Sequence, residues 1–181
     1  MHLIAKIELK AALDNIAEIL DVADGVMVAR GDLGVQLPLE QVPFVQKQIL
    51  DAANKKGKIS ITATEMLQSM KSSYRPTRAE VTDITNAILE GSDAVMLSAE
   101  TSIGDNPNRV VEVMSLICKE TDSKNDTSSL LSKENTSEDS TATLARAAVQ
   151  VANEIQAKAI VAFTETGRTP LLISNFRPQA E

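Results

Sequence analysis

Residues 25–40 read GVMVARGDLGVQLPLE, an apolar run of four residues after Gly25 that breaks into Arg30, Gly31, Asp32, Leu33 and Gly34. A buried strand that stops abruptly at a cation, a carboxylate and two glycines delivers charge and backbone N–H groups to one end of a sheet. In α/β folds that end is where ligands bind. The rest of the chain repeats the pattern. Short apolar strands are predicted over Leu3–Ile7, Gly25–Ala29, Lys58–Ala63 and Asp93–Ser98, and amphipathic helices lie between them.

Helical spacing marks Leu13, Ile16, Ile19 and Leu20 before the second strand, and Val42, Val45, Ile49 and Ala53 after it. Pro43 belongs in a first turn, which sets that helix start near Gln41, and Gly57 ends it. Thr77 to Glu80 has the spacing of a capping box, and Gly91 closes the helix it opens. A further helix is predicted from about Asn108 to Thr121, with Val110, Met114, Ile117 and Cys118 inward. Asp24–Ala29 and Asp93–Ser98 echo each other, and repeated βα units with polar strand ends point to a barrel or part of one.

The pattern stops at residues 122–140, DSKNDTSSLLSKENTSEDS, which read as a polar linker. A new unit follows, with a helix from Thr141 burying Leu144, Ala148, Val151, Ala152 and Ile155, then a strand over Lys158–Thr164. The expected organisation is a partial barrel over 1–121, the linker over 122–140, and the start of a second α/β domain over 141–181. Four βα units are half of an eight-strand barrel, whose usual size is about 250 residues. The chain therefore reads as a piece of something larger.

Composition narrows the function. Aromatic residues make up 2% and Trp is absent, which leaves no stacking platform for single-stranded nucleic acid. A net charge of −7 repels nucleic-acid phosphates and anionic membranes. Cys118 is the single cysteine and no apolar run reaches transmembrane length, so the expected location is the cytoplasm.

The polar residues that carry chemistry sit at the four strand ends: Lys6 and Glu8, Arg30 and Asp32, Thr64 and Glu65, Ser98 and Glu100. Each alone reads as a solvated loop residue or a structural ion pair more readily than as a catalyst. Recurrence at four successive strand ends raises the functional reading. Glu8 and Asp32 would repel each other unless a cation lay between them, and Mg²⁺, which needs only one or two carboxylates, suits that place. Lys6 adds a compact charge for a phosphoryl group, and the turn containing Gly31 and Gly34 can present N–H groups to a carboxylate.

The blocks AKIE, DGVMVARGDLGVQLPLEQVPFVQKQIL, ITATEMLQSM, RPTRAEVTDITNAILEGSDAVMLSAETSIGDNP, TGRT and FRP, in this order, resemble pyruvate kinase. The resemblance implies the second half of a (β/α)8 TIM barrel followed by the beginning of an α/β C-terminal domain. It implies transfer of a phosphoryl group from phosphoenolpyruvate to ADP, giving pyruvate and ATP in glycolysis, with the isolated chain inactive. By motif, Lys6 stabilises the moving phosphoryl group, and Glu8 and Asp32 hold Mg²⁺ or Mn²⁺. The backbone around Ala29, Arg30 and Gly31, with Asp32 and the Thr64 hydroxyl, binds substrate, and Thr64 and Ser98 relay the enolate proton. The resemblance also implies K⁺, with its ligands in the part not represented here, and a homotetrameric parent.

Thr164, Thr166, Gly167, Arg168 and Thr169 resemble the family's phosphate loop for a sugar-phosphate or nucleotide effector, although an ordinary strand-to-helix turn would read alike. Departures from the family are Leu9 and Lys10 after Glu8, Glu65 where Gln is frequent, Ala99 for Gly, and Glu165 where activator-responsive members carry Lys. Two other readings stand beside this one: a Mg²⁺-dependent barrel lyase acting on pyruvate-like enolates, and a truncated product without catalysis.

Overall fold

The structure, a computed structural model, describes residues 1–124 and 140–180. They fall into two compact units, one on either side of residues 125–139. The first unit holds a four-stranded parallel sheet in sequential order, β1 (Ile4–Ile7), β2 (Gly25–Ala29), β3 (Ile59–Ala63) and β4 (Ala94–Met96). Helices connect the strands: α1 (Lys10–Asp14) and α2 (Ile16–Val22), α3 (Arg30–Gln36) and α4 (Val42–Lys55), α5 (Arg78–Leu89), and, after β4, α6 (Ala99–Ser102) and α7 (Pro107–Lys124). This is the α/β arrangement predicted, because apolar strands covered on both faces demand helical crossovers.

The register aligns the strand ends. Ile7 pairs with Val28, Val28 with Thr62, Ala29 with Ala63, and Ala63 with Met96. Residues just beyond these positions therefore emerge side by side, and Lys6 and Glu8, two apart, leave β1 on one face. Two apolar clusters fill the unit. Ile7, Leu20, Val26, Val28, Leu33, Ile49, Leu50 and Ala53 pack β1 and β2 against α2, α3 and α4, and Met66, Leu67, Met70, Ile84, Ile88, Val110, Val113 and Met114 form the second. Burial pushes the Cys118 thiol pKa up, as expected for a packed rather than a reactive cysteine.

The echoed Asp24 and Asp93 have a structural use at the opposite end of the sheet. Asp24 Oδ2 accepts the Leu3 N–H at 2.7 Å, and Asp93 Oδ2 accepts the Ser60 N–H at 2.8 Å and the Ser60 hydroxyl at 3.0 Å. Each aspartate thus precedes one strand and anchors the start of its neighbour. Gly25 is required in this tight region, since a Cβ there would meet the Ile59 carbonyl oxygen at 2.6 Å.

Several expectations shift. The predicted helix before β2 is divided at Asn15 into α1 and α2. The Arg-Gly-Asp-Leu-Gly segment is not a turn but the helix α3, because Leu33 is pulled fully into the core and the chain coils to place it there. The helix start at Gln41 holds, with Pro43 in the first turn of α4.

The capping box at Thr77 is complete: Thr77 Oγ1 accepts the Glu80 N–H at 3.2 Å and Glu80 Oε2 accepts the Thr77 N–H at 2.7 Å. Glu80 also accepts from Ser69 N–H and Ser69 Oγ, both at 2.6 Å, so the cap fixes the segment after β3 as well as α5. Thr77→Ala is expected to destabilise the first unit by about 1 kcal/mol, read as a lower urea midpoint, with Thr77→Ser close to neutral. Equal midpoints for Ala and wild type would contradict it.

The second unit contains α8 (Ser140–Glu154) and α9 (Arg168–Asn175), packed through Ala145, Val149 and Ile173. Two expectations fail here. The buried stripe of α8 is Ala142, Ala145, Val149 and Ala152, whereas Leu144, Val151 and Ile155 are exposed. Ala145 and Val149 of this stripe meet Ile173 of α9, where a small side chain allows close helix approach. Residues 158–164, predicted as a strand, pair with no described strand, and a strand without a ladder partner has no sheet to join. Most of the predicted linker, 125–139, lies outside the described residues.

Candidate functional site

β1, β2 and the first turn of α3 bring three charged side chains to one point. Lys6 Nζ lies 2.5 Å from Glu8 Oε2 and 2.8 Å from Asp32 Oδ2. All three are partly open to solvent, with side-chain exposures of 52%, 39% and 53% in the same order. The hydrogen bond from Lys6 holds the Asp32 carboxyl below the usual carboxylate range. In return the Asp32 and Glu8 carboxylates raise the Lys6 pKa well above its ordinary value.

The signs follow directly. The depressed Asp32 contributes stability above the ordinary carboxylate range and loses it as pH falls through its lowered value. The raised Lys6 contributes below the ordinary lysine range and loses its part as pH rises through the raised value. Replacing Lys6 with Met is expected to move the Asp32 titration upward, back toward the ordinary carboxylate range, followed by carboxyl carbon NMR. An Asp32 titration left where it was would contradict the assigned cause.

A second cluster surrounds Thr64. Arg30 turns its guanidinium inward, where its side chain is 9% exposed, and Nη1 donates to both carboxylate oxygens of Asp83 on α5 at 2.7 Å. Its Nη2 donates to the Thr64 carbonyl oxygen at 2.6 Å, and Gln46 of α4 lies 3.5 Å from Nη1. The guanidinium is therefore structural, and the part of Arg30 left for a ligand is its backbone.

Thr64 and Glu65 both have positive φ, 73° and 54°. For a β-branched residue this conformation is unfavourable and needs support from its surroundings. The Gly31 N–H donates to Thr64 Oγ1 at 2.8 Å, and that hydroxyl donates to the Ala63 carbonyl at 2.6 Å. Arg30 and Gly31, adjacent on α3, thus grip Thr64 by its carbonyl and its hydroxyl. An anion approaching the Gly31 N–H would meet the Thr64 hydroxyl in the same place.

Ser98 precedes α6 and joins this end of the sheet through Glu100. The Glu100 side chain is fully buried, with Oε2 accepting the Ser98 N–H at 2.7 Å and Oε1 the Leu67 N–H at 3.1 Å. Sequence reading grouped Glu100 with the exposed strand-end charges and singled out neither Asp83 nor Gln46. Asp83 lies on α5, 53 residues from Arg30, and no local spacing signals that pairing.

The site suits a cation of a particular kind. Glu8 and Asp32 both reach the one position held by the Lys6 ammonium, and among the described residues no three His, Cys, Asp or Glu side chains gather into a metal cage. Two carboxylates open to solvent fit Mg²⁺, which completes its shell from water and substrate oxygens. In the second unit, Thr164, Thr166, Gly167, Arg168 and Thr169 form one contiguous turn into α9. There Gly167, at φ 80°, precedes the helix and its N–H donates to Thr164 Oγ1 at 2.9 Å. Glu165 is exposed beside them.

The chain is similar to known proteins over nearly its whole length. The family profile described as pyruvate kinase, barrel domain, matches residues 1–111, and that described as pyruvate kinase, alpha/beta domain, matches 142–181. The chain is 47% identical over 184 residues to a pyruvate kinase of Staphylococcus saprophyticus, covering 100% of this chain and 31% of the relative. It is 46% identical over 182 residues to one of Clostridium perfringens, covering 98% and 38%. A crystal structure of a pyruvate kinase from Cryptosporidium parvum superposes with a TM-score of 0.89 at 43% identity, over 98% of this chain and 37% of that one. The chain thus spans about a third of the length of these relatives.

Proposed function

The chain belongs to the pyruvate kinase family, and from that premise we propose that its strand ends form part of a site that transfers a phosphoryl group from phosphoenolpyruvate to ADP. The observation that carries this reading is the convergence of Lys6, Glu8 and Asp32 on one point at the strand ends. Glu8 and Asp32 would hold Mg²⁺ or Mn²⁺. When bound, that ion supplies Lewis-acid stabilisation of charge on the substrate oxygens.

The chain's own groups take the remaining roles. Lys6, kept protonated by its two carboxylate neighbours, presents a fixed cation to the phosphoryl group as charge shifts during transfer. The backbone around Ala29, Arg30 and Gly31, with the Thr64 hydroxyl, orients the substrate carboxylate. After transfer the enolate must gain a proton at C3. Thr64 and Ser98 would relay it from solvent, each hydroxyl accepting one proton from water as it passes its own on, and the Thr64 proton, now directed at the Ala63 carbonyl, would swing to the substrate.

The family as a whole depends on Mg²⁺ and K⁺ and uses phosphoenolpyruvate and ADP. For this chain K⁺, the tetrameric assembly, a cytoplasmic setting and a phosphate-bearing effector at Thr164 to Thr169 belong to the proposal. No helix among the described residues is long and apolar enough to cross a membrane. The exposed Glu165 would oppose an anionic effector, so binding there is expected to be weaker than with a lysine in its place.

The test is a coupled assay on a protein of the relatives' length that carries these residues. Pyruvate formed in proportion to ADP consumed, and abolished by chelation of Mg²⁺, is the expected result. Pyruvate-forming chemistry that ignores ADP would overturn the kinase reading in favour of a lyase.

A further inference from the structure

Glu100 is a fully buried carboxylate that none of the roles above uses. A buried acidic side chain is costly unless its oxygens are paired. Its partners here are two backbone N–H groups from different loops: Leu67, three residues after Thr64, and Ser98, just past the end of the following strand, β4. The Ser98 bond is local and alone would be an ordinary helix-start contact. The Leu67 bond spans 33 residues and ties the segment after β3 to the segment after β4.

Thr64 and Glu65 hold a left-handed backbone just before Leu67, and Met66 and Leu67 are fully buried. We propose that Glu100 is a positioning residue: by accepting the Leu67 and Ser98 N–H groups on its two oxygens it locks the Thr64 loop against the Ser98 loop and sets the spacing of their hydroxyls. The consequence for proton delivery rests on the roles proposed above for Thr64 and Ser98. The tie itself does not.

Glu100→Gln tests it, because the amide keeps the shape and one oxygen but turns an NH₂ toward the second backbone N–H. In the full chain, amide hydrogen exchange at Leu67 and Ser98 is expected to speed up together by about tenfold or more, while Val26 and Val28 in β2 keep their protection. A uniform loss that includes Val26 and Val28 would mean general destabilisation and would overturn the positioning role, as would no change at Leu67 and Ser98.

The unsubstituted protein provides a measurement free of any folding defect. Scalar coupling across the hydrogen bonds from the Leu67 and Ser98 nitrogens to the Glu100 carboxyl carbon is expected, and absence of both couplings would overturn the tie. A third readout separates the tie from the function: with Mg²⁺ and phosphoenolpyruvate, amide signals of Gly31, Thr64 and Ser98 are expected to shift. In Glu100→Gln the Ser98 response is expected to be lost while that of Gly31 persists. No response at any of the three in the unsubstituted chain would contradict the substrate reading, with the tie still decided by exchange and coupling. An intact Ser98 response in Glu100→Gln would overturn the positioning role.

Discussion

Replacing Arg30 with methionine is expected to lower the stability of the first unit by about 2–3 kcal/mol. The guanidinium holds Asp83 through both carboxylate oxygens and holds the Thr64 carbonyl, so its loss leaves two acceptors without their donor. A fully buried pair broken in this way would cost about 3–5 kcal/mol. Asp83 retains 39% side-chain exposure, and water recovers part of that loss. The buried Arg30 Nε has no hydrogen-bond partner among the described residues, which lowers the gain from the intact pair and with it the loss.

The effect extends beyond stability, because Thr64 at φ 73° would lose the donor on its carbonyl and keep the two hydroxyl contacts, from the Gly31 N–H and to the Ala63 carbonyl. Lysine at position 30 should rescue little, since one ammonium cannot span Asp83 and Thr64 as a planar fork does. Urea unfolding checks the figure. A double cycle with Asp83→Asn should show coupling of about 1 kcal/mol or more. A midpoint within experimental error of the wild type would contradict the structural role of Arg30.

Replacing Asp32 with asparagine is expected to weaken Mg²⁺ binding at the strand ends by about 100-fold, roughly 2.7 kcal/mol. Asparagine keeps the size and an oxygen but removes the charge, leaving Glu8 as the one carboxylate of the pair. Lys6 would lose its largest source of raised basicity, so its pKa should fall toward the ordinary lysine range. Both changes can be followed in one protein, by metal titration and by the lysine side-chain NMR signal. Unchanged metal affinity would contradict the assignment of Asp32 as a ligand.

The sheet was legible in the sequence because each strand is a short apolar run bounded by charge or glycine, and three of the four strand positions agree within one residue. β4 is shorter than predicted, since Leu97 and Ser98 leave the ladder to lead into α6. Convergence at the strand ends was also legible, because parallel strands in register must present their ends together.

What escaped was settled by tertiary contacts. Burial of Leu33 coils the glycine-containing segment into α3, and α9 selects the small residues of α8 rather than the larger ones. The inward turn of Arg30 and the burial of Glu100 depend on partners 53 and 33 residues away. Hydrophobic periodicity is blind to such pairings.

The most direct measurement is a calorimetric titration of phosphoenolpyruvate into a protein of the relatives' length that carries these residues, run with Mg²⁺ and again with a chelator. Saturable one-site binding that requires Mg²⁺ and disappears in Asp32→Asn is the result expected if Lys6, Glu8, Asp32 and Gly31 form one metal-dependent substrate site. Binding of equal strength with and without the metal, or no saturable binding at all, would contradict it.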